Sequence, residues 1–384
     1  MLKSLYYKVY WTIVSVIDYI SFNLKFKYVI ANNKKNILIF GHDGSTNGGA
    51  SVVLNNLLKN INMSEYNVFM FFKNGGPLVN ESKNIGNNAY VYQYLYKKYI
   101  NKFYESGIEI KAILVNTSVC ANIIDVAQDR FSCPIVWWIH EGQFLKDYPP
   151  KKFDYLRDNV RLVSVSENSK KILQDYYPDR KIDIIHYGLN DEYKESYTKH
   201  LKNKIFTIDI VGMLTERKNQ KQIIEMLKNL PKEITDKLRI RMISGTWDNQ
   251  YRDSLMKEAS EFKQVEFISG LSHKKLIEEY TKIDLLICCS KDDPLPVVVT
   301  EALMMKCICL VSSGCGQYEY IVDGINGYKY IVDDINELCS KIIKIMNCSE
   351  NELVAIKKNG RKLYEEVFSM KKSVGMMASC LELR

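Results

Sequence analysis

The chain has 384 residues, enough for two domains of ordinary size. Its 46% hydrophobic and 26% charged residues exclude a disordered or membrane-embedded chain, and basic residues outnumber acidic ones for a net charge of +8. The ten cysteines form no CxxC pair and no zinc-spaced cluster, so they read as small buried thiols in a reducing cytoplasm.

Residues 1–34 read as a basic amphipathic helix. Within the first 35 residues Lys3, Lys8, Lys25, Lys27, Lys34 and Lys35 face a single acid, Asp18. Leu2, Leu5, Tyr6, Val9, Ile13, Val16, Ile17 and Ile20 recur at helical spacing. Lys8 and Asp18 leave only Val9–Ile17 uncharged, too short to span a bilayer. No small-residue cleavage site marks a secretory leader. Such a helix either lies on an anionic membrane through residues 1–30 or packs on its own domain, and Trp11 with the tyrosines favours the membrane.

Two halves then repeat one scheme. An apolar run ending in Gly41 leads through a polar loop to a helix at about 49–61. A second run ending in Gly212 leads to a helix at about 220–230. Further strands are expected at 68–72, 89–94, 112–116, 135–139, 162–165 and 182–186 in the first half. In the second they fall at 239–244, 265–269, 283–289 and 308–312. Strands alternating with helices, apolar without alternation, describe doubly wound parallel sheets. The expected domains are 35–188 and 206–368, joined by a polar linker at 189–205 and followed by a helix at 369–384.

Residues 290–327 carry the most chemistry. Asp293 precedes Glu301 by eight positions, around a PLPVVV segment, and a Gly314-Cys-Gly316 turn follows the next strand. The acidic pair therefore sits where a strand ends and a helix begins, the crevice in which open α/β sheets bind ligands. A carboxylate there accepts two hydrogen bonds from a vicinal diol, and the opening amides of the helix hold a phosphate. Together these read as a nucleotide-sugar site. Asp293, beside Asp292 and before Pro294, is also an ordinary turn or cap residue.

The segment resembles the signature of retaining glycosyltransferases of family 4, with Asp293 in place of the first Glu, then Glu301-Ala302-Leu303 and Gly316-Gln-Tyr-Glu319. The resemblance covers roughly residues 36–384. It implies the α/β GT-B fold, two Rossmann-like doubly wound domains facing a central cleft, with the last helix crossing back to the first domain. It implies that Glu301 binds the donor ribose, that the amides of Val298 and Val299 meet the diphosphate, and that Asp293 touches the transferred sugar. Val211 to Gln220 resembles the second donor motif. Lys218 matches its lysine, Met213 replaces its arginine, and Arg217 stands next to the lysine as a second positive charge. Fixed cations stabilise a departing diphosphate most in the transition state. The loop Gly41–Ala50 resembles the first glycine loop, in which Gly48 and Gly49 let the backbone approach donor or acceptor; His42 and Asp43 are acceptor-side candidates. His140, ending a strand, matches a histidine near the reacting sugar, and Glu141 either orients that imidazole or meets the acceptor hydroxyl.

The resemblance thus implies a retaining, hexose-transferring enzyme acting by front-face displacement on a glycan or lipid-linked acceptor, and the basic N-terminal helix together with the family's habit points to bacterial surface polysaccharide assembly at the inner face of the cell membrane. No Asp-x-Asp occurs, so the expected co-substrate is a nucleotide-diphosphate sugar with no metal cofactor. No nucleic-acid partner is expected. Two alternatives stay open. A nucleotide-sugar epimerase has the same fold, and Met213 with Asp293 fits a catalytically silent partner subunit.

Overall fold

A computed structural model of the chain describes residues 2–32, 34–46, 49–147, 149–150, 153, 155–195 and 205–383. It divides into two compact units. The first comprises Met1–Val165, Ser169–Gly188 and Ser373–Arg384, and the second Ser166–Asn168 and Leu189–Lys372. Of the expected linker 189–205, residues 196–204 lie outside the described residues.

The first unit is a parallel sheet of β1 (Lys35–Asp43), β2 (Tyr66–Asn74), β3 (Asn88–Val91), β4 (Ile110–Asn116), β5 (Ile135–Ile139), β6 (Val160–Ser164) and β7 (Ile182–Ile184). Their order is β3-β2-β1-β4-β5-β6-β7. Six successive residues of β1, Asn36–Gly41, are buried, as the continuous apolar run requires when helices cover both faces of a sheet. The chain reverses direction across the sheet between β1 and β4, which places the loops after those two strands side by side. The helix Leu2–Ile30 covers the β3 side: Phe22 and Phe26 are buried among Phe69, Tyr90, Tyr99 and Phe103. Among the described residues, no helix is long and apolar enough to cross a membrane.

The second unit holds β8 (Phe206–Val211), β9 (Leu238–Ile243), β10 (Val265–Ile268), β11 (Leu285–Cys288), β12 (Ile308–Ser312) and β13 (Tyr328–Tyr330), all parallel, in the order β10-β9-β8-β11-β12-β13. Its reversal lies between β8 and β11. The three-residue β13 carries no apolar run, and the sequence pattern alone missed it. Beneath the sheet, Arg241 grips the fully buried Asp209 with two hydrogen bonds of 2.7 and 2.8 Å and reaches Glu279 at 2.6 Å. A buried carboxylate requires such bidentate pairing. All ten cysteines are free thiols, seven of them buried.

Candidate functional site

In the second unit the reversal between β8 and β11 gathers the charged residues. After β8, Gly212 adopts φ +145°, a conformation that favours glycine, and a Cβ there would meet the Lys218 side chain. The Lys218 ammonium meets the Asp293 carboxylate in an ion pair, with little of either side chain exposed. Burial works most strongly against the ammonium, but the Asp293 charge and hydrogen bond, together with the nearby Cys288 thiol, jointly outweigh it and hold Lys218 above its ordinary range. Arg217 is turned differently: its Nη1 donates to the Asp292 carbonyl at 2.7 Å, which ties the two loops together.

The glycine turn explains how Asp293 is held. Its N–H donates to the Gly314 carbonyl at 2.8 Å, and its own carbonyl accepts from the Gly316 N–H at 2.9 Å. A Cβ on Gly316 would overlap the Pro294 carbonyl oxygen, and only glycine allows this approach of two backbones. The helix Val297–Met304 starts immediately after, at Pro296, with no side-chain cap. The Val299 N–H turns back on the Pro296 carbonyl at 3.2 Å, so Val299 has a partner already, contrary to an amide left open for a ligand. Val298 stands at the second position of the uncapped turn.

Glu301 lies one turn further and is only 4% exposed, which excludes a solvated helix-surface glutamate. Its Oε1 is 2.8 Å from His273 Nε2, and its Oε2 accepts from the Tyr280 hydroxyl at 3.0 Å. Both partners lie on the helix His273–Tyr280, seven residues and so two turns apart, on one face. Ser272 caps that helix through the Lys275 N–H and so sets His273 in place. Sequence reading missed both residues, because only the fold brings this helix to Glu301. The Ser244–Trp247 and Ser269–Ser272 loops add Ser244, Trp247 and Ser269 to a cavity of about 410 Å³, walled also by Met242, Met256 and Phe267.

In the first unit the corresponding reversal gathers a second set. His42, near the end of β1, has Nδ1 at 3.4 Å from Thr117 Oγ1, just past β4. Burial lowers its pKa, partly opposed by Asp43. The Asp43 carboxylate accepts from the Ser45 N–H at 3.0 Å and the Ser45 hydroxyl at 2.8 Å, a local turn. Gly49 opens the next helix, and among the described residues nothing lies where a Cβ on it would reach, whereas Gly48 lies outside the described residues.

His140 follows β5 and is buried between Trp138 and Tyr187. Its Nδ1 is 2.8 Å from the Tyr187 hydroxyl, while Nε2 is buried with no partner among the described residues. Burial pushes its pKa down to about 3, with a smaller contribution from His42, so the ring is neutral near neutrality. Glu141 does not orient this imidazole. Its carboxylate accepts from the Ser118 N–H at 3.2 Å and the His140 N–H at 3.0 Å, and Tyr187 takes the orienting role. Burial raises the Glu141 carboxyl pKa, and the Ser118 hydrogen bonds pull it back. Among the described residues, Asn116 also leaves a buried side-chain oxygen unpaired.

Residues 190–363 match the family described as glycosyl transferases group 1. No curated protein matches the chain. Among solved structures, Anabaena Alr3699/HepE in complex with UDP and glucose is similar, with TM-score 0.71 and 16% identity over 91% of this chain and 99% of that one. A glycosyltransferase from Rickettsia africae ESF-5 gives TM-score 0.73 and 15% identity over 91% and 98%. The lipopolysaccharide outer core galactosyltransferase WaaB, in its apo form, gives 0.72 and 14% over 90% and 99%. The two parallel-sheet, Rossmann-like units are those of the GT-B fold.

Proposed function

We propose that this chain is a glycosyltransferase that takes a hexose-type sugar from a nucleotide-diphosphate donor, with retention, and passes it to a glycan or lipid-linked acceptor. The observation that carries the reading is the Lys218–Asp293 pair at the β8/β11 reversal, followed directly by an uncapped helix bearing the buried Glu301. An anionic diphosphate fits there: Lys218 supplies charge, and the open helix turn supplies donors at Val298. The unused lone pairs of Glu301, whose oxygens already accept one hydrogen bond each, suit the ribose diol. The nucleobase is assigned to the apolar cavity beside Trp247 and Phe267.

Asp293 is assigned to the hydroxyls of the transferred sugar. His140, neutral and with Nε2 unpaired among the described residues, is assigned to hydrogen bonding with a substrate hydroxyl rather than to proton transfer. Fixed cations replace a divalent metal in this reading, so EDTA leaves transfer unchanged. His42, Asp43 and the Gly49 loop are assigned to the acceptor. UDP in the HepE complex and the galactosyl activity named for WaaB support the donor class. The setting we propose is assembly of a bacterial surface polysaccharide at the cytoplasmic side of the membrane.

A thermal-shift panel of nucleotide sugars tests the donor reading. At least one UDP- or GDP-sugar raises the melting temperature, and Glu301→Ala abolishes the shift while retaining the fold. A panel without any shift, or an unchanged shift in Glu301→Ala, removes the assignment. The anomeric configuration of the product by NMR decides retention. A silent partner subunit is the second reading, favoured by Met213 and by the neutralisation of Lys218 by Asp293. It is distinguished by donor binding without turnover.

A further inference from the structure

The helix Leu2–Ile30 buries one face and leaves the other bare. Phe22 and Phe26 turn into the aromatic core of the first unit. Asp18, the only acid among the first 35 residues, also turns inward: its carboxylate accepts from the Val91 N–H of β3 at 2.7 Å. Burial raises that carboxyl's pKa, and the hydrogen bond opposes the shift. The outer face is thus free of acids. It presents Val9, Ile13, Val16, Ile17, Ile20 and Leu24, spaced by three and four residues, with Ile13 at 56% and Leu24 at 72% exposure. Exposed Lys8, Lys25 and Lys27 and the tyrosines Tyr7, Tyr10 and Tyr28 border this stripe at its two ends.

We infer that this outer face binds an anionic lipid bilayer in the plane of its surface, with the aliphatic stripe among the acyl chains and the lysines and tyrosines at headgroup level. Charge selects the occupant. A second copy of the same face would set lysines against lysines, whereas anionic headgroups complement them. A soluble helix that needed only to cover its own domain would turn polar residues outward, and here the one acid is directed inward instead.

The helix is also fixed rather than loosely attached. The Trp11 ring presses on Gly75 so closely that a Cβ there would overlap it. Gly76 in turn lies against the Gly44 carbonyl, and the Leu78 N–H donates to Gly44 at 2.9 Å. This packing locks the helix to the end of β1 that carries His42 and Asp43.

The test is co-sedimentation of the full chain with vesicles of equimolar phosphatidylcholine and phosphatidylglycerol. The wild type pellets with them, and binding falls about tenfold or more on pure phosphatidylcholine and in the double variant Ile13→Glu/Ile17→Glu. Both substituted side chains lie on the outer face, so the variant keeps its melting temperature, which is measured in parallel. Equal pelleting of variant and wild type overturns the proposal, as does no pelleting at all. A wild-type dimer in analytical ultracentrifugation that the same substitutions convert to monomer assigns the face to a second copy and equally overturns it. None of these readouts depends on sugar transfer.

Discussion

His273 Nε2 lies 2.8 Å from Glu301 Oε1, so a half-exposed imidazole closes one side of an almost completely buried carboxylate. The Glu301 hydrogen bond raises the His273 pKa above its ordinary value, with burial opposing and the Glu301 charge adding to the effect. The folded pKa is therefore above the unfolded one. The stabilisation is fully present below the unfolded value near 6.5 and is lost as pH rises through the folded value. Because the ring is more than half exposed, the effect stays under about 1 kcal/mol. Urea midpoints of wild type and His273→Asn differ at pH 5.5 and converge as the pH rises through the folded value. A difference that grows with pH contradicts the pairing.

In the proposed function, substitutions at Lys218 and Asp293 separate binding from turnover. Lys218→Ala removes the cation and leaves the Asp293 carboxylate uncompensated in a poorly hydrated place, so both the UDP-induced thermal shift and stability decline, the latter by about 3 kcal/mol. Asp293→Asn leaves the ammonium free. UDP binding is kept or strengthened, while kcat for transfer falls by about 100-fold. Loss of UDP binding in Asp293→Asn contradicts the assignment of Asp293 to the sugar.

His140 has the opposite sign to His273. Its folded pKa of about 3 lies below the unfolded value, so its contribution is present above pH 6.5 and is lost as pH falls toward 3. Between pH 7 and pH 5 this costs about 2 kcal/mol. Denaturant titrations at the two pH values show that loss in wild type, and a flatter dependence in His140→Gln. An equally steep acid dependence in the variant rejects a buried neutral ring.

Gly316 tests how the acid is positioned. Gly316→Ala forces a Cβ into the Pro294 carbonyl and pushes apart the backbones that hold Asp293. Unfolding free energy declines by on the order of 2 kcal/mol. Transfer declines further than the fraction of folded protein accounts for. An active, equally stable variant shows that the turn tolerates a side chain.

The strands were legible along the chain because a parallel strand buried on both faces needs an unbroken apolar run, as at 37–40 and 285–288. The short β13, with Tyr328 and Tyr330 around a lysine, left no such trace. Asp293 and Glu301 stood out through their placement at a strand end and a helix start, which is local information, and Lys218 through its match to a family motif. Their partners did not, since His273 and Tyr280 reach Glu301 from another helix, and Tyr187 reaches His140 from 47 positions away.

Local order along the chain, apolar runs interrupted by glycine and charge, determined two wound sheets and the places where the loops at their strand-order reversals emerge. Tertiary structure alone decided the pairing and direction of the polar side chains: that Lys218 meets Asp293, that Glu141 serves backbone amides, and that Asp18 turns inward. The reason is desolvation. Whether a charge is buried, and what compensates it there, depends on neighbours remote in sequence, which no local pattern encodes.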